Sequence, residues 1–134
     1  AVNTKPVQRY VDRLRAAEAL VLVHPVWNYG YPAIMKGFFD RVFITGVSFV
    51  LKDGNLRPNL WNIRRMATIT TYGGGRIRSF LMGDPPRRQF TRSWRAQIHP
   101  TARTHYLALY GMDKQTDAGR AAFLERVGRT MRTL

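Results

Sequence analysis

Three aromatic rings fall within five residues, Trp27, Tyr29 and Tyr31, in a segment bracketed by Pro25 and Pro32. Proline restricts the backbone there, while Gly30 allows a sharp approach. Aromatic faces beside exposed peptide groups suit a flat, partly polar heterocycle: the ring packs on the side chains and main-chain N–H groups bond its carbonyl edge. A second segment, Thr70 to Gly75, offers hydroxyls and then three glycines, whose bare backbone lets a peptide plane approach a ring that a Cβ would hold off. Taken singly, each has a plainer reading. Aromatics after a strand can cover a core edge or a dimer interface, and a glycine triplet can be a loose turn. Their coincidence at the ends of two successive strands is what points to a ligand.

Other chemistry is poorly represented. Cysteine is absent, which excludes disulfides, thiol catalysis and thiolate metal sites. His24, His99 and His105 lack the i, i+4 spacing of a helical zinc pair. No Gly-Lys-Ser/Thr phosphate loop is present, and no GxGxxG opens a helix. His24 reads as a hydrogen-bonded residue at a strand end rather than a catalyst. Lys36 and Asp40 read as an ordinary i, i+4 surface pair.

The chain has 134 residues, the length of one domain. With 45% hydrophobic and 12% aromatic residues it is neither a disordered tail nor a low-complexity linker. No apolar run approaches the roughly 20 residues of a membrane span. Nor does the start carry a secretory signal, because Arg9, Asp12, Arg13 and Arg15 interrupt it. The formal charge is +14; four of the 22 basic residues are lysines and 18 are arginines, scattered rather than massed. Such a field favours anionic partners such as nucleic acid, anionic lipid or phosphorylated ligands, without dictating a fold. The chain opens at Ala1 and not at Met, so it is expected to be part of a longer protein.

The elements follow from apolar spacing. Val7, Tyr10, Val11 and Leu14 predict a helix over residues 5–17, with Thr4 as its cap and Pro6 in its first turn. Ala19 to Val23 is an unbroken, β-branched run that predicts a strand covered on both faces of a parallel sheet. Pro32 opens a helix over residues 33–43, and Ile34, Met35, Phe38, Phe39, Val42 and Phe43 are available for its buried side. Val47 to Leu51 reads as a short strand and Asp53-Gly54 as a hairpin turn. Met66 to Thr71 is a second core strand. Phe80 to Met82 reads as a helical turn, Gly83 to Pro86 as a break, and Phe90, Trp94 and Ile98 as one face of a helix. Tyr106 to Tyr110 is a third sheet strand. Asp113 or Thr116 caps a last helix with Phe123, Leu124, Val127 and Met131 inward. The order implies an α/β open sheet with at least three parallel strands, whose ligands bind beyond the carboxyl ends of the strands.

The segment from Ala19 to Val42 closely resembles the flavodoxin-like NAD(P)H:quinone oxidoreductase family, in which a strand and an aromatic-rich loop lead into Pro-Ala-x-x-Lys-Gly-aromatic-x-Asp-Arg-Val, here Pro32 to Val42. Gly46-Val47-Ser48-Phe49, Asp53-Gly54 and Thr70-Thr71-Tyr72-Gly73-Gly74 continue the likeness in order. It is strong over residues 17–75; beyond them only element order agrees. The resemblance implies FMN or FAD as cofactor, NADH or NADPH as hydride donor, and a quinone or similar acceptor. It implies that Pro25, Val26, Trp27, Asn28 and Tyr29 hold one side of the isoalloxazine ring, and that Thr71, Tyr72, Gly73 and Gly74 line its pyrimidine edge. It further implies a cytoplasmic homodimer. The Tyr and His that some relatives carry after the glycine loop have no counterpart in Arg76-Ile77-Arg78-Ser79-Phe80, so no catalytic pair transfers.

Set against the family's 2-1-3-4-5 sheet order, the chain is expected to be a single flavodoxin-like domain, residues 1–134, that is incomplete at its amino end. Only strands three to five would then be present, without the flavin-phosphate loop, so flavin affinity is expected to be weak and activity is open. Arg76, Arg78, Arg87 and Arg88 can receive the 2′-phosphate of NADPH, although a solvated basic face is the simpler expectation. Two other functions remain open: a regulatory subunit of a membrane potassium-efflux system, with peripheral membrane contact, and nucleic-acid binding, for which no recognition motif is present.

Overall fold

The computed structural model describes residues 3–134. Its centre is a parallel sheet of β1 (Ala19–Val26), β4 (Arg65–Tyr72) and β5 (Arg103–Leu109), in the order β1-β4-β5. The first two pair in unbroken register from Ala19↔Arg65 to Val26↔Tyr72, and the last two from Arg65↔Arg103 to Thr71↔Leu109. A separate antiparallel hairpin, β2 (Phe49–Lys52) and β3 (Asn55–Pro58), turns on Asp53 and Gly54, both at positive φ as a type I′ turn requires. The described residues therefore hold five strands. The flavodoxin-like α/β architecture with a parallel sheet is present, whereas the expectation of only strands three to five is not confirmed.

One face of the sheet carries the main core. Val11 and Leu14 of α1 (Gln8–Ala16) and Phe39 and Val42 of α2 (Ala33–Val42) pack with Leu22, Met66, Phe90 and Trp94 in one continuous apolar cluster. The opposite face is only partly covered. There α5 (Asp117–Arg132) runs along β5, with Phe123 and Leu107 buried and the Arg126 guanidinium donating to the Ala108 carbonyl. Nothing described lies over β1 on that side, and Val23 is 70% exposed. The prediction of a strand buried on both faces fails for β1, which is also an edge strand with one unpaired side, whereas β4 is the core strand expected.

Local signals account for most of the remaining differences. The first helix opens as a 3₁₀ turn, Lys5–Val7, and the Thr4 side chain donates to Gln8 instead of capping it. Thr116 does cap α5, accepting from the Gly119 amide at 3.0 Å. After α3 (Arg76–Leu81), the break at Gly83 and Asp84 takes two successive left-handed residues. A single turn, α4 (Pro85–Arg88), then passes into a π-helical segment, Gln89–Trp94, rather than the α-helix expected there. The wider turn keeps Phe90 and Trp94 buried under the sheet. Ile34 and Leu124, both counted as inward from spacing, are exposed because the apolar arcs of α2 and α5 are wider than the contacts they make. Phe90→Ala should therefore destabilise the fold by about 3–5 kcal/mol. Leu124→Ala should change it by less than about 0.5 kcal/mol. Urea unfolding of both variants checks the pair.

Candidate functional site

Parallel pairing sets the site. Pro25 lies opposite Thr71 and Val26 opposite Tyr72, so the chain leaves β1 and β4 from adjacent positions at the same end of the sheet. The aromatic and glycine segments are thus neighbours, as the sequence requires of a shared ligand. The strands reach further than expected: His24, Pro25 and Val26 belong to β1, and Tyr72 joins Thr71 in β4. Of the candidate residues, only Trp27, Asn28 and Tyr29 and the pair Gly73-Gly74 lie beyond the strands.

The first loop is a tight reversal. The Trp27 amide donates to the Gly30 carbonyl at 3.1 Å and the Gly30 amide returns the bond at 2.9 Å. Asn28 and Tyr29, at φ 47° and 58°, occupy the two central positions. These are the dihedrals of a type I′ turn, for which glycine is the ordinary second residue. Sequence reading assigned the conformational freedom to Gly30; the structure places it on Asn28 and Tyr29, and a bulky residue in that region is strained. Trp27 projects with 64% of its surface exposed. Tyr31, grouped with it in the sequence, does something else. Its ring packs between His24 and Trp94, and its hydroxyl donates to the Pro86 carbonyl at 2.6 Å.

The glycine loop is tied down through its carbonyls. The Gly75 carbonyl accepts from the Ser79 amide and the Gly74 carbonyl from the Gly111 amide, at 3.0 and 2.9 Å. Among the described residues, no turn or loop bond is donated by the amides of Gly73, Gly74 or Gly75. None of the three has positive φ, and an added Cβ would meet nothing closer than 3.7 Å, at Asp113 Oδ2 from Gly73. The protein's own packing therefore does not require glycine here. Free amides on a backbone stripped of side chains, beside an exposed indole, fit a flat ring with carbonyl groups along one edge, such as an isoalloxazine.

Beneath the loops lies a polar layer that sequence reading missed. Tyr72 is buried; its hydroxyl donates to Asp84 Oδ1 at 2.6 Å and meets the Tyr106 hydroxyl, while its ring stacks on Tyr110. Burial, reinforced by the Asp84 carboxylate, pushes the Tyr72 phenol far above its usual range and keeps it protonated. Tyr72 can thus meet a ligand only through its backbone. His24 is buried as well, with Nδ1 2.9 Å from the Pro25 carbonyl and Nε2 without a partner. The only sequence signal for this layer was the punctuation at Gly83 to Pro86, which marks a bend and not the carboxylate it delivers.

A protein-family model described as a flavodoxin-like fold matches residues 3–129. The chain belongs to this flavodoxin-like family. Among curated relatives, an FMN-dependent NADH:quinone oxidoreductase of Coprothermobacter proteolyticus is 31% identical over 68 residues, 51% of this chain and 34% of that protein. One of the same description from Lachnoclostridium phytofermentans is 42% identical over 76 residues, 57% of this chain and 38% of that protein. The matches thus span little more than a third of those relatives' length. The crystal structure of Smu.1420 from Streptococcus mutans UA159 superposes with a TM-score of 0.84 at 24% identity, covering 96% of this chain and 67% of that one. That likeness speaks for the flavodoxin-like fold. No helix of the described residues is long and apolar enough to cross a membrane.

Burial also depresses the affinity of His24 for a proton, against the opposing pull of the Pro25 carbonyl. The unfolded chain binds that proton more readily, so His24 removes stability as pH falls below its ordinary value near 6.5. The melting temperature should therefore drop between pH 7.5 and 5.5, and His24→Gln should flatten that part of the profile; calorimetric scans across the range test it.

Proposed function

We propose that this chain carries the isoalloxazine-binding side of a flavin-dependent NAD(P)H:quinone oxidoreductase, with FMN as the cofactor. One observation carries the proposal: the exposed indole of Trp27 and the bare amides of Gly73 to Gly75 stand at adjacent strand tips, in a loop whose glycines nothing in the protein demands. The relatives described as FMN-dependent NADH:quinone oxidoreductases favour FMN over FAD and a quinone as acceptor. In this scheme β1, β4 and β5 are the third to fifth strands of a 2-1-3-4-5 sheet.

When bound, the flavin supplies the two-electron hydride chemistry itself. Pro25 and Val26 hold the base of the first loop, and the exposed Trp27 ring would cover one side of the flavin and keep water from it. The strained Asn28-Tyr29 turn fixes where that indole stands. The amides of Gly73 and Gly74 would donate to the pyrimidine edge of the flavin; donors oriented in advance stabilise negative charge without reorganising. Thr71 and Tyr72 set the direction of those amides through the strand. The buried, protonated Tyr72 and Tyr106 hold the floor rigid and take no proton from the reaction. A homodimer is also proposed: Ile77, Leu81 and Met82 of the α3 region are all more than half exposed and offer an apolar surface beside the site.

Titration with FMN should quench flavin and tryptophan fluorescence saturably. Gly74→Ala should weaken binding about tenfold or more, equivalent to at least about 1.4 kcal/mol. The same variant should melt at the wild-type temperature or slightly above it, because the new Cβ sits 3.9 Å from its nearest neighbour and the unfolded chain loses freedom. A flavin affinity that is absent in the parent, or untouched by Gly74→Ala, overturns the proposal.

A further inference from the structure

Arg76, Arg87 and Arg88, together with Phe80, Asp84 and Tyr110, line a cleft of about 330 Å³ between α3, α4 and the residue after β5. Arg76 directly follows the glycine loop and Tyr110 directly follows β5, so the cleft opens at the same end of the sheet as the candidate ring site. The Gly111 amide, bonded to the Gly74 carbonyl, ties the two walls together. Arg78, grouped with these arginines in the sequence, is not part of the lining.

Three properties set this cleft apart from a solvated basic face. Among the described residues, the ion pairs are Lys36–Asp40, Arg120–Asp117 and Arg129–Glu125, and none of the three cleft arginines has such a partner. Asp84 is the only carboxylate in the lining, and it already accepts the Tyr72 hydroxyl. Three guanidinium groups against one carboxylate leave two positive charges, which matches the dianion of a phosphate monoester. Arg87 is also held in advance. Its guanidinium stacks 5.0 Å over the Tyr106 ring and its Nη1 lies 3.4 Å from the Tyr110 hydroxyl, which leaves less side-chain freedom to lose on binding. Finally, the Phe80 ring, 76% exposed, gives an adenine a face to stack on.

We infer that this cleft takes the adenosine 2′-phosphate end of NADPH and gives the protein a preference for NADPH over NADH. The inference rests on the proposed flavin reading for the position of the nicotinamide end, which would reach from the cleft across the glycine loop. NAD and NADP differ only in that monoester, so they isolate its contribution. A planar guanidinium meets a phosphate with paired hydrogen bonds, the geometry that rewards arginine over lysine at such sites.

The test measures binding of NADP⁺ and NAD⁺ to the full chain by calorimetry at fixed ionic strength. It uses the parent, Arg76→Ala/Arg88→Ala, and Arg57→Ala on the distant hairpin as a charge control. The expected result is at least tenfold tighter binding of NADP⁺, competition by inorganic phosphate, and a ratio near one in the double variant. Arg57→Ala should keep the parent's ratio. A parent ratio near one, or a ratio that survives the double substitution, overturns the inference. So does a double variant that loses FMN while retaining riboflavin, since the cleft would then hold the flavin's own phosphate. FMN binding without nucleotide preference sinks the inference and leaves the flavin reading standing; nucleotide preference without FMN binding does the reverse.

Discussion

The parallel ladder between β1 and β4 is the constraint from which the site follows. Eight consecutive pairs, Ala19↔Arg65 through Val26↔Tyr72, run without a bulge. Neighbouring strands lie about 4.8 Å apart, so whatever leaves Val26 and Tyr72 must share one small region. A shift of one residue would send every side chain of β1 to the opposite face. Leu22 and His24 would then leave the core, and the Tyr31–Trp94 stack would lose its first partner. The apolar core and the ligand loops are therefore fixed by the same hydrogen bonds, and neither can be re-registered without the other.

What the ladder positions, a rigid floor keeps in place. His24, Tyr31, Trp94 and Phe39 stack in series from the tip of β1 to α2, the last pair with centroids 3.5 Å apart. On the β4 and β5 side, the Tyr72 hydroxyl donates to Asp84 and meets the Tyr106 hydroxyl. Both rows lie under flexible-looking sequence, yet each joins elements far apart in the chain. Costs accompany this arrangement. His24 Nε2 and Thr68 Oγ1 are buried without partners, and Asn28, Tyr29 and Asp84 all sit in the left-handed region. Each unmet polar group costs about 1–3 kcal/mol; Thr68 lies in mid-strand and Ser48 Oγ, Gln97 Oε1 and the left-handed Asp53 lie elsewhere, whereas His24, Asn28, Tyr29 and Asp84 fall at the ligand end of the sheet. Strain concentrated there points to constraint by function rather than by folding.

Much of the architecture was legible because its signals are local. The apolar runs at Ala19–Val23 and Met66–Thr71, Asp53-Gly54 at the hairpin, and Thr116 ahead of α5 each state their structure within a few residues. The likeness over residues 17–75 gave the family in the same way. What was hidden depends on contacts between distant segments. Whether β1 is covered on its second face turns on which elements lie over it, and an apolar run cannot say. The π-helical segment leaves no mark in the apolar spacing, because Phe90 and Trp94, four residues apart, would share a face in an α-helix too. In the site, Tyr29 and Tyr31 look alike in sequence, but one stands in a strained turn and the other donates to Pro86, 55 residues away. Tyr72 reads as a loop residue and is instead a buried strand end.

Charge shows the same division between composition and arrangement. A net +14 announces an affinity for anions and nothing about where they bind. The eight acidic residues cannot pair with 22 basic ones, so unpaired arginine is unavoidable on this surface and is no signal in itself. The signal lies in shared position. Arg76 and Arg88 are exposed and Arg87 is half-buried, so each alone is screened over about 8 Å at physiological salt; what sets them apart is that all three line one cleft without an ion-pair partner. Such convergence is repulsive unless an anion relieves it, and the chain supplies only Asp84, already committed to Tyr72. Arg76 and Arg88 are on different helices and are brought together only by the left-handed turn at Gly83 and Asp84. The same turn that aims the carboxylate at Tyr72 also places the arginines around one cleft, so the floor of the ring site and the walls of the charged cleft are parts of a single local structure.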